Sequence, residues 1–416
     1  MKILWVCPFF PYPPDNGTRI REYFLMRELS NWNEVSVFSL VQSEKELENT
    51  GDLGQFCRNV WGILPENKLP DAFFDGKRRA SDVLAGIVFP RPQHFYGQPS
   101  PNVVQELRRH IEEEKFDVVV IEHLLMSNYV WDILGKSRRP LWVLSQENVE
   151  SLIQKQHISL ARNGLERLRK VIYYRSFIQF EGHACQRYDR VFMVSENDRQ
   201  ELLKLAPALP ADKVSLLPNG VDVSNYNIGE VEPQENTLIY VGALTYNANY
   251  DAMQYFLREI FPIIQRQMPD VKVKITGKTQ GVDLSGLVLN EQVEFTGYVE
   301  DIRPVIKSSS VCIVPLQVGG GTRLKILEAM ALGTPVVATS KGAEGLDLQP
   351  GRDLLVADAP EDFAREVIRL LRQPELREQL QKNGRKAVEE KYDSHQIAAN
   401  LHQSLQEKLE KCWQAT

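Results

Sequence analysis

Short runs of β-branched and aromatic residues alternate with longer amphipathic stretches along most of the chain. This alternation is typical of parallel α/β sheets, because each strand must cross over through a helix before it pairs with the next. The pattern occurs in two sets, and a polar, turn-rich segment without periodicity, 218–236, separates them. We therefore expect two doubly wound, Rossmann-like domains, 1–222 and 223–393, with a ligand-binding cleft between them.

The individual strands can be predicted from the same pattern. In the first set they are KILWVC, EVSVFSL, FDVVVIEH, PLWVLSQE and DRVFMVSE. In the second set they are TLIYVGAL, VKVKITG, QVEFTGYV, SVCIVPL, TPVVAT and DLLVAD. After Asp358 the sequence is predicted to be helical to its end, with an interruption at Gly384. The last helix, 394–416, carries an apolar stripe that needs a partner surface, namely Ile397, Leu401, Leu405 and Leu409.

Composition limits the partners and the compartment. A net charge of −6 gives no overall attraction for nucleic acid, so nucleic acid is not expected as a partner. The five cysteines are scattered without a C-x-x-C pair, which favours a reducing compartment over a disulfide framework or a zinc site. Prolines interrupt the first apolar run, which favours a strand over a signal peptide, and no window approaches the ~20 apolar residues of a spanning helix. We expect a cytoplasmic protein.

The segment after the strand SVCIVPL is the most specific sign of a ligand. It contains Gly319–Gly321 and then Thr322, which is predicted to cap a helix that ends at Ala331. Free backbone N–H groups and the positive end of the helix dipole favour an anion at this point. Arg323 and Lys325 are predicted to lie in the first turn, where cations oppose the dipole. Their presence favours an anion with more than one charge, such as a diphosphate.

Glu328 refines this prediction. It shares a helix stripe with Gly321 and Lys325, and a rise of 1.5 Å per residue places its carboxylate about 10 Å from the glycine loop. A carboxylate at that distance from a phosphate can accept both hydroxyl groups of a ribose, which indicates a nucleoside diphosphate. An alternative is an ordinary surface pair of Lys325 and Glu328, worth about 0.2–0.5 kcal/mol, but this leaves the glycines and Arg323 unexplained.

These motifs resemble the retaining glycosyltransferases of family four, which have the GT-B architecture of two facing Rossmann-like domains. The matching segments are GTRLKILEAMALGTPVVAT, PNGVD at 218–222, FTGYVEDI at 295–302 and MVSENDRQEL at 193–202. A subgroup of sugar transferases often found with exopolysaccharide genes is the most similar, because it shares the run G-G-G-T-R-L-K. The resemblance implies that a hexose or other sugar passes from a nucleotide-sugar donor to an acceptor hydroxyl, with retention, in polysaccharide or glycoconjugate biosynthesis.

The resemblance also implies roles for individual residues and elements. The first domain would bind the acceptor and the second the donor, and the helix 394–416 would pack back on the first domain. Three residues would be catalytic: His123, Arg323 and Lys325. Eight would bind the donor nucleotide: Gly17, Gly242, Tyr298, Val299, Gly320, Gly321, Thr322 and Glu328. Two would lie on the acceptor side: Arg19 and Glu147.

Some of these residues also have structural interpretations. Gly17 is equally typical of a plain turn in a Pro-rich loop, and His123 of a hydrogen-bonded loop histidine. Arg19 and Arg21 would then cover the flank of a helix. We expect no metal or other cofactor, because Arg323, Lys325 and the helix end supply the positive charge that a leaving diphosphate requires.

Two departures from the family pattern bear on the chemistry. The family usually has a second glutamate eight residues before the ribose-binding one, where this chain has Gly320. It also usually has an arginine and a lysine after the first strand of the second domain, where this chain has Ala243 and Asn249. We infer that Arg323 and Lys325 take over the diphosphate.

One basic segment bears on the acceptor. Residues 151–190 contain eight Lys and Arg against three Asp and Glu, a local net charge of +5. The part LERLRKVIYYRSFIQF mixes these cations with aromatic residues at helical spacing, which is typical of a peripheral contact with the anionic inner face of a membrane, where a lipid-linked acceptor is presented. It is also typical of a long core helix with a charged outer face.

Two other functions remain open at the level of sequence. A GT-B sugar-nucleotide epimerase or hydrolase would share the architecture and the diphosphate site. A catalytically silent nucleotide-sugar-binding assembly subunit would account for the glycine at position 320. A dehydrogenase is not indicated, since no G-x-G-x-x-G follows the first strand.

Overall fold

The computed structural model describes residues 1–66, 90–136, 140–159, 161, 163–227, 229–232, 234–319 and 323–414. The chain divides into two compact units, Met1–Pro218 with His395–Thr416, and Asn219–Ser394. The boundary between the first and second units therefore lies between Pro218 and Asn219, four residues before the predicted boundary at 222/223. The reason is that Val221 pairs with the returning chain: its N–H donates to the carbonyl of Tyr392 at 2.9 Å, and its carbonyl accepts from the N–H of Ser394 at 3.0 Å.

The described residues of the first unit form a parallel sheet of seven strands in the order β3-β2-β1-β4-β5-β6-β7. The strands are β1 Lys2–Cys7, β2 Glu34–Leu40, β3 Asn59–Ile63, β4 Val118–Glu122, β5 Leu141–Gln146, β6 Arg190–Met193 and β7 Val214–Leu216. The five predicted strands are confirmed. The sequence did not reveal β3 or β7, because β3 is half-buried and contains Gly62, and β7 has only three residues.

Helices connect these strands and cover the sheet. They are α1 Gly17–Leu29, α2 Thr50–Leu53, α3 Pro92–Tyr96, α4 Pro101–Glu114, α5 Ser127–Val130, α6 Glu150–Ser159, α7 Gly164–Arg187 and α8 Glu196–Leu205. Short 3₁₀ turns lie at Glu44–Asn49, Leu124–Met126 and Ala211–Lys213. Side chains at the N-caps of α1, α7 and α8 accept from backbone N–H groups of the first turn, which fixes where each helix begins. The capping residues are Asn16, Asn163 and Ser195.

The second unit contains a parallel sheet of six strands among its described residues, in the order β10-β9-β8-β11-β12-β13. The strands are β8 Gln234–Val241, β9 Lys272–Thr276, β10 Val293–Gly297, β11 Ser309–Val314, β12 Val336–Ala338 and β13 Leu355–Val356. All six were predicted, although β8 begins inside the segment 218–236 that was interpreted as a linker. The helices are α9 Asn247–Tyr255, α10 Phe261–Gln267, α11 Arg303–Ser308, α12 Leu324–Ala331, α13 Pro360–Arg372 and α14 Pro374–Lys391, with a π turn at Phe256–Ile260 and a 3₁₀ turn at Val223–Tyr226.

Gly384 does not interrupt a helix, contrary to the prediction. It lies inside α14, where a Cβ atom would come within 3.1 Å of the Met330 side chain and 3.2 Å of the Asp353 carbonyl oxygen. The glycine therefore allows close packing of α14, and the helical breaks lie instead before Pro374 and at Asp393.

The last helix, α15 (Ser394–Gln414), packs into the core of the first unit. Its four stripe residues are each at most 5% exposed and share a cluster with residues of β1, α1 and β2. Burial of such side chains contributes about 1.5–3 kcal/mol each. Within the described part of the chain, no helix combines the length and the apolar character needed to cross a bilayer.

Candidate active site

Four candidate residues of the second unit follow its two central strands, namely Gly242, Arg323, Lys325 and Glu328. β8 and β11 are parallel neighbours at the centre of the sheet. Strands β9 and β10 continue the sheet on the β8 side, and β12 and β13 continue it on the β11 side, so the direction of the chain connections reverses between β8 and β11. Ligands of doubly wound sheets bind in the crevice at such a switch point. β8 leads through Gly242 into α9, and β11 leads through the glycine loop into α12.

Helix α12 begins at Leu324, and Arg323 is the residue that precedes it. The predictions that Thr322 caps this helix and that Arg323 lies in its first turn are therefore wrong. Gly320, Gly321 and Thr322 themselves lie outside the described residues, so their contacts with a donor stay predictions. The Arg323 guanidinium packs against Gly319, which has a φ of +112°, a value that favours glycine.

Lys325 is held by a closed hydrogen-bond network at the end of β8. Its Nζ donates to the Tyr240 hydroxyl and to Asn249 Oδ1, each at 3.1 Å, and lies 4.3 Å from the centroid of the Tyr240 ring. The Tyr240 hydroxyl donates to the same Oδ1 at 2.7 Å, and Asn249 Nδ2 donates to the Ala243 carbonyl at 2.9 Å. Burial, reinforced by the nearby Arg323, lowers the pKa of Lys325 to about 7.

Because Gly242 has no side chain, Lys325 and Asn249 can approach its backbone closely. A Cβ atom at this position would lie 2.9 Å from Lys325 Nζ and 2.8 Å from Asn249 Nδ2. The structure thus brings together Gly242 and Lys325, which the sequence singled out, and Asn249, which it noted as a departure. Tyr240 was missed, because an aromatic residue inside a strand indicates only a core position.

Glu328 lies one turn further along α12. Its Oε1 accepts from the Tyr226 hydroxyl at 2.7 Å, and burial raises its pKa. Lys325 and Glu328 hydrogen-bond to different partners, although each charge also acts on the pKa of the other. Tyr226 was also missed, because it lies in the segment that was interpreted as a linker.

Tyr298 and Val299 follow β10, and the carboxyl end of β10 lies on the same side of this parallel sheet as the carboxyl ends of β8 and β11. The Tyr298 side chain is 63% exposed, and Lys278 Nζ lies 5.6 Å from the centroid of its ring. Val299 is half-buried. An exposed ring next to a cation offers a surface on which a planar group can stack.

In the first unit, His123 and Glu147 lie next to each other after β4 and β5. His123 has a φ of +65°, which is uncommon for a non-glycine residue and frequent at functional sites. Its N–H donates to the Ser145 carbonyl at 2.9 Å, and its Nε2 lies 3.9 Å from Glu147 Oε1. Burial lowers the pKa of His123, while the Glu147 carboxylate acts in the opposite direction.

Three buried titratable side chains lie close to His123 and Glu147, namely Arg21, Glu22 and Glu122. Arg21 is 2% exposed and donates to the Leu217 carbonyl at 3.0 Å and to Ser145 Oγ at 3.3 Å, so it does not cover an outer helix flank. Glu22 and Glu122 are fully buried, and burial raises the pKa of both carboxyls, that of Glu122 to about 7. Sequence reasoning missed both glutamates, since acidic residues in α1 and at the end of β4 are equally common on exposed surfaces.

The structure also locates Gly17 and Arg19 at the start of α1. Gly17 is the first residue of the helix, next to the capping Asn16. Arg19 forms ion pairs with Asp15 at 3.3 Å and with Glu46 at 3.1 Å. Two carboxylates of the first unit therefore bind the guanidinium that was predicted to meet the acceptor.

Comparison with known proteins finds glycosyltransferase family models that match each half of the chain. The model described as "Glycosyltransferase Family 4" matches residues 25–225, and that described as "Glycosyl transferases group 1" matches residues 235–373. An uncharacterized 44.6 kDa protein in the cps region of Klebsiella pneumoniae is 22% identical over 96% of this chain and 98% of its own length. A phosphatidyl-myo-inositol mannosyltransferase of Mycobacterium tuberculosis is 29% identical, but the match covers only 47% of this chain and 54% of that protein.

Solved structures share the fold. Anabaena Alr3699/HepE, crystallised in complex with UDP-glucose, superposes with a TM-score of 0.68 at 12% identity, covering 98% of this chain and all of the other. Two parallel α/β units and these structural neighbours define the GT-B fold. The chain is a glycosyltransferase of this fold, and it moves a sugar from a nucleotide-sugar donor to an acceptor.

Proposed function

We propose that the protein transfers a hexose or related sugar with retention of anomeric configuration, and that its product is a polysaccharide or glycoconjugate. The observation that supports the donor site is the fixed position of the Lys325 ammonium beside Gly242, at the β8/β11 switch point. The diphosphate of the donor binds there and to Arg323. The adjacent N-terminus of α12 adds partial positive charge.

The two cations act on the departing group. Breaking the glycosidic bond of the donor builds negative charge on the β-phosphate, and charges that are already in place stabilise it without reorganisation. Hydrogen bonds to Tyr240 and Asn249 fix the position of the Lys325 side chain before the donor arrives. The enzyme therefore needs no metal ion to neutralise the leaving diphosphate.

Glu328 binds the ribose of the donor. The Tyr226 hydroxyl holds one oxygen of the carboxylate, which restrains its orientation, and the ribose hydroxyls donate to this group. Tyr298 offers its exposed ring to the base, with Val299 beside it. The acceptor binds to the first unit near His123 and Glu147, whose side chains lie together after β4 and β5.

The acceptor is a saccharide or a lipid-linked saccharide, presented at an anionic membrane surface. The relative in the cps region and the phosphatidyl-myo-inositol mannosyltransferase support these acceptor classes. Helix α7 supports the membrane contact, since Leu165, Leu168 and Ile172 form one stripe and are 72%, 56% and 38% exposed. Exposed cations flank this stripe, namely Arg167, Arg169 and Arg175.

The transfer reaction is tested by incubating the protein with a panel of nucleotide sugars and acceptors and detecting products by mass spectrometry. The Lys325→Met variant should lose transfer and bind nucleoside diphosphate more weakly, because charge-assisted bonds contribute about 1.5–3 kcal/mol. NMR of the product should show the anomeric configuration of the donor. Binding of donors without transfer to any acceptor would instead support the silent assembly subunit, and an inverted product would contradict retention.

The membrane contact is tested separately by flotation with vesicles. Wild-type protein should bind vesicles that contain anionic lipid and not neutral vesicles, because arginines flank the apolar stripe. Leu168→Glu should abolish this binding. The matched control is Leu289→Glu, which changes an exposed leucine of the second unit (46% exposed) and should bind like the wild type. Equal binding by both variants would contradict α7 as the contact.

A further inference from the structure

Lys325 is held by neutral groups. Both of its described hydrogen-bond acceptors, the Tyr240 hydroxyl and Asn249 Oδ1, are uncharged, and so is the ring beneath it. Lys325 is half-buried, and an ammonium that loses much of its hydration usually has a carboxylate partner, because desolvation of an unpaired charge is costly. Here the acceptors fix the position of the ammonium without neutralising it.

The charged and titratable groups around the ammonium strengthen this contrast. Arg323, which precedes α12, disfavours a second positive charge. The Cys312 thiol of β11 is buried, and its pKa is raised to about 12, so it is neutral near pH 7. Glu328 of α12 raises the pKa of Lys325, but burial and Arg323 have larger effects in the opposite direction, and the hydrogen bond of Glu328 goes to Tyr226.

The neutral hydrogen-bond partners of Lys325 fit an anionic ligand. When a diphosphate binds beside Gly242, it supplies a counter-charge that the described hydrogen-bond partners do not, and it favours the protonated form of Lys325. We propose that Tyr240 and Asn249 are positioning residues for Lys325, and that their neutral side chains couple nucleoside diphosphate binding to proton uptake by this amine. This proposal rests on the proposed donor site and adds the protonation state of Lys325 before and after the diphosphate binds there.

The sign of the effect follows from the lowered pKa of about 7. At pH 8 the free protein carries Lys325 mainly as the neutral amine, and the bound anion restores the ammonium, so one proton is taken up. Affinity therefore falls as pH rises above 7, by up to about tenfold per pH unit. Below pH 6 the amine is already charged, and proton uptake by Lys325 disappears.

Calorimetry with UDP at pH 8, in HEPES and in Tris, measures the protons taken up, because these buffers have different ionisation enthalpies. UDP is fully ionised at this pH and contributes no proton. Wild-type protein should take up close to one proton per UDP. Lys325→Arg should bind UDP with no uptake, since the guanidinium stays charged. The control Lys341→Arg, a surface lysine paired with Glu344, should behave like the wild type.

The positioning role is tested by Asn249→Asp, which replaces the neutral acceptor with a carboxylate of the same shape. NMR of the lysine side chains in the UDP-free protein should show Lys325 titrating near pH 7 in the wild type and several units higher in Asn249→Asp. Proton uptake on UDP binding at pH 8 should then vanish. Tyr240→Phe should weaken UDP binding while keeping the ring beneath Lys325.

The outcomes separate this proposal from the donor site itself. UDP binding without proton uptake, or uptake that persists in Lys325→Arg, overturns the coupling and leaves the donor site intact. A Lys325 midpoint near its ordinary value in the UDP-free wild type also overturns it. A protein that shows the Lys325 midpoint near 7 but binds no nucleoside diphosphate contradicts the proposed donor site.

Discussion

At the scale of single residues, the proposed donor site depends on close approach of two side chains to one glycine. Gly242 leaves no room for a side chain, since a Cβ atom would come within 3 Å of Lys325 Nζ and Asn249 Nδ2. Both atoms are the ends of side chains and can move, so Gly242→Ala should displace the ammonium rather than unfold the protein. We expect UDP affinity to fall about tenfold, which corresponds to loss of one charge-assisted bond.

The control for this variant is Gly281→Ala. Gly281 also has a positive φ, +79°, but a Cβ atom there would meet nothing within 4 Å. The two variants share the backbone strain of an alanine at positive φ and differ in the contact with Lys325. Calorimetry should therefore show weaker UDP binding for Gly242→Ala only. Equal losses in both variants would mean that strain, rather than the position of the ammonium, determines affinity.

Glu328→Gln tests the ribose contact. The amide keeps the shape of the side chain and can still accept from Tyr226, but it loses the charge that strengthens hydrogen bonds from the ribose hydroxyls. Selectivity for UDP over its 2′-deoxy form should fall severalfold, measured as the ratio of dissociation constants. Glu361→Gln, an exposed residue at the start of α13, is the control. Unchanged selectivity in Glu328→Gln would contradict the ribose contact.

Residue identity alone predicted part of this site. Arg323, Lys325 and Glu328 stood out because cations and a carboxylate follow a glycine run at helical spacing. Their partners could not be found in this way. Tyr240 lies 85 residues before Lys325, and Tyr226 lies 102 residues before Glu328, so no local sequence pattern links either pair. Their roles depend on tertiary packing, which places the end of β8 and the turn Val223–Tyr226 against α12.

At the scale of elements, the strands were easier to predict than the positions where helices begin and end. Buried parallel strands form continuous β-branched runs, so all eleven predicted strands are present. The start of α12 was misplaced, because Thr322 is a favourable cap by residue type, whereas the helix begins after Arg323. Gly384 was misinterpreted for a similar reason, since close packing against Met330 outweighs its low helix propensity.

Helix α15 supplies a prediction at this scale. Leu405 is fully buried in the core of the first unit, and Gln406 beside it is exposed. Leu405→Ala should lower the free energy of unfolding of the first unit by about 2–5 kcal/mol, through lost transfer energy and a cavity. Gln406→Ala should have almost no effect. Hydrogen exchange should accelerate in β1, β2 and α1 and not in the second unit; acceleration in the second unit instead would contradict this assignment of the helix.

At the scale of the whole molecule, the division into two units follows from the repeated α/β pattern, but its position does not. Residues 219–222 resemble a polar turn, yet the pairing of Val221 with Asp393 joins them to the second unit. Such pairing links positions far apart in the chain and leaves no local signal. Glu22 and Glu122 were missed for a different reason, since acidic residues in α1 and at the end of β4 are equally common on exposed surfaces.

The source of positive charge in the proposed donor site gives the last prediction. Lys325 and Arg323 lie at the switch point of the second unit, and the N-terminus of α12 adds to them, so in our proposal the protein itself neutralises the leaving diphosphate. Transfer by the protein should therefore survive excess EDTA at an unchanged rate, measured by release of nucleoside diphosphate. Added Mg²⁺ should not raise kcat. If EDTA abolished transfer and Mg²⁺ or Mn²⁺ restored it, the metal would supply the charge assigned here to Lys325 and Arg323, and the proposed donor site would be wrong.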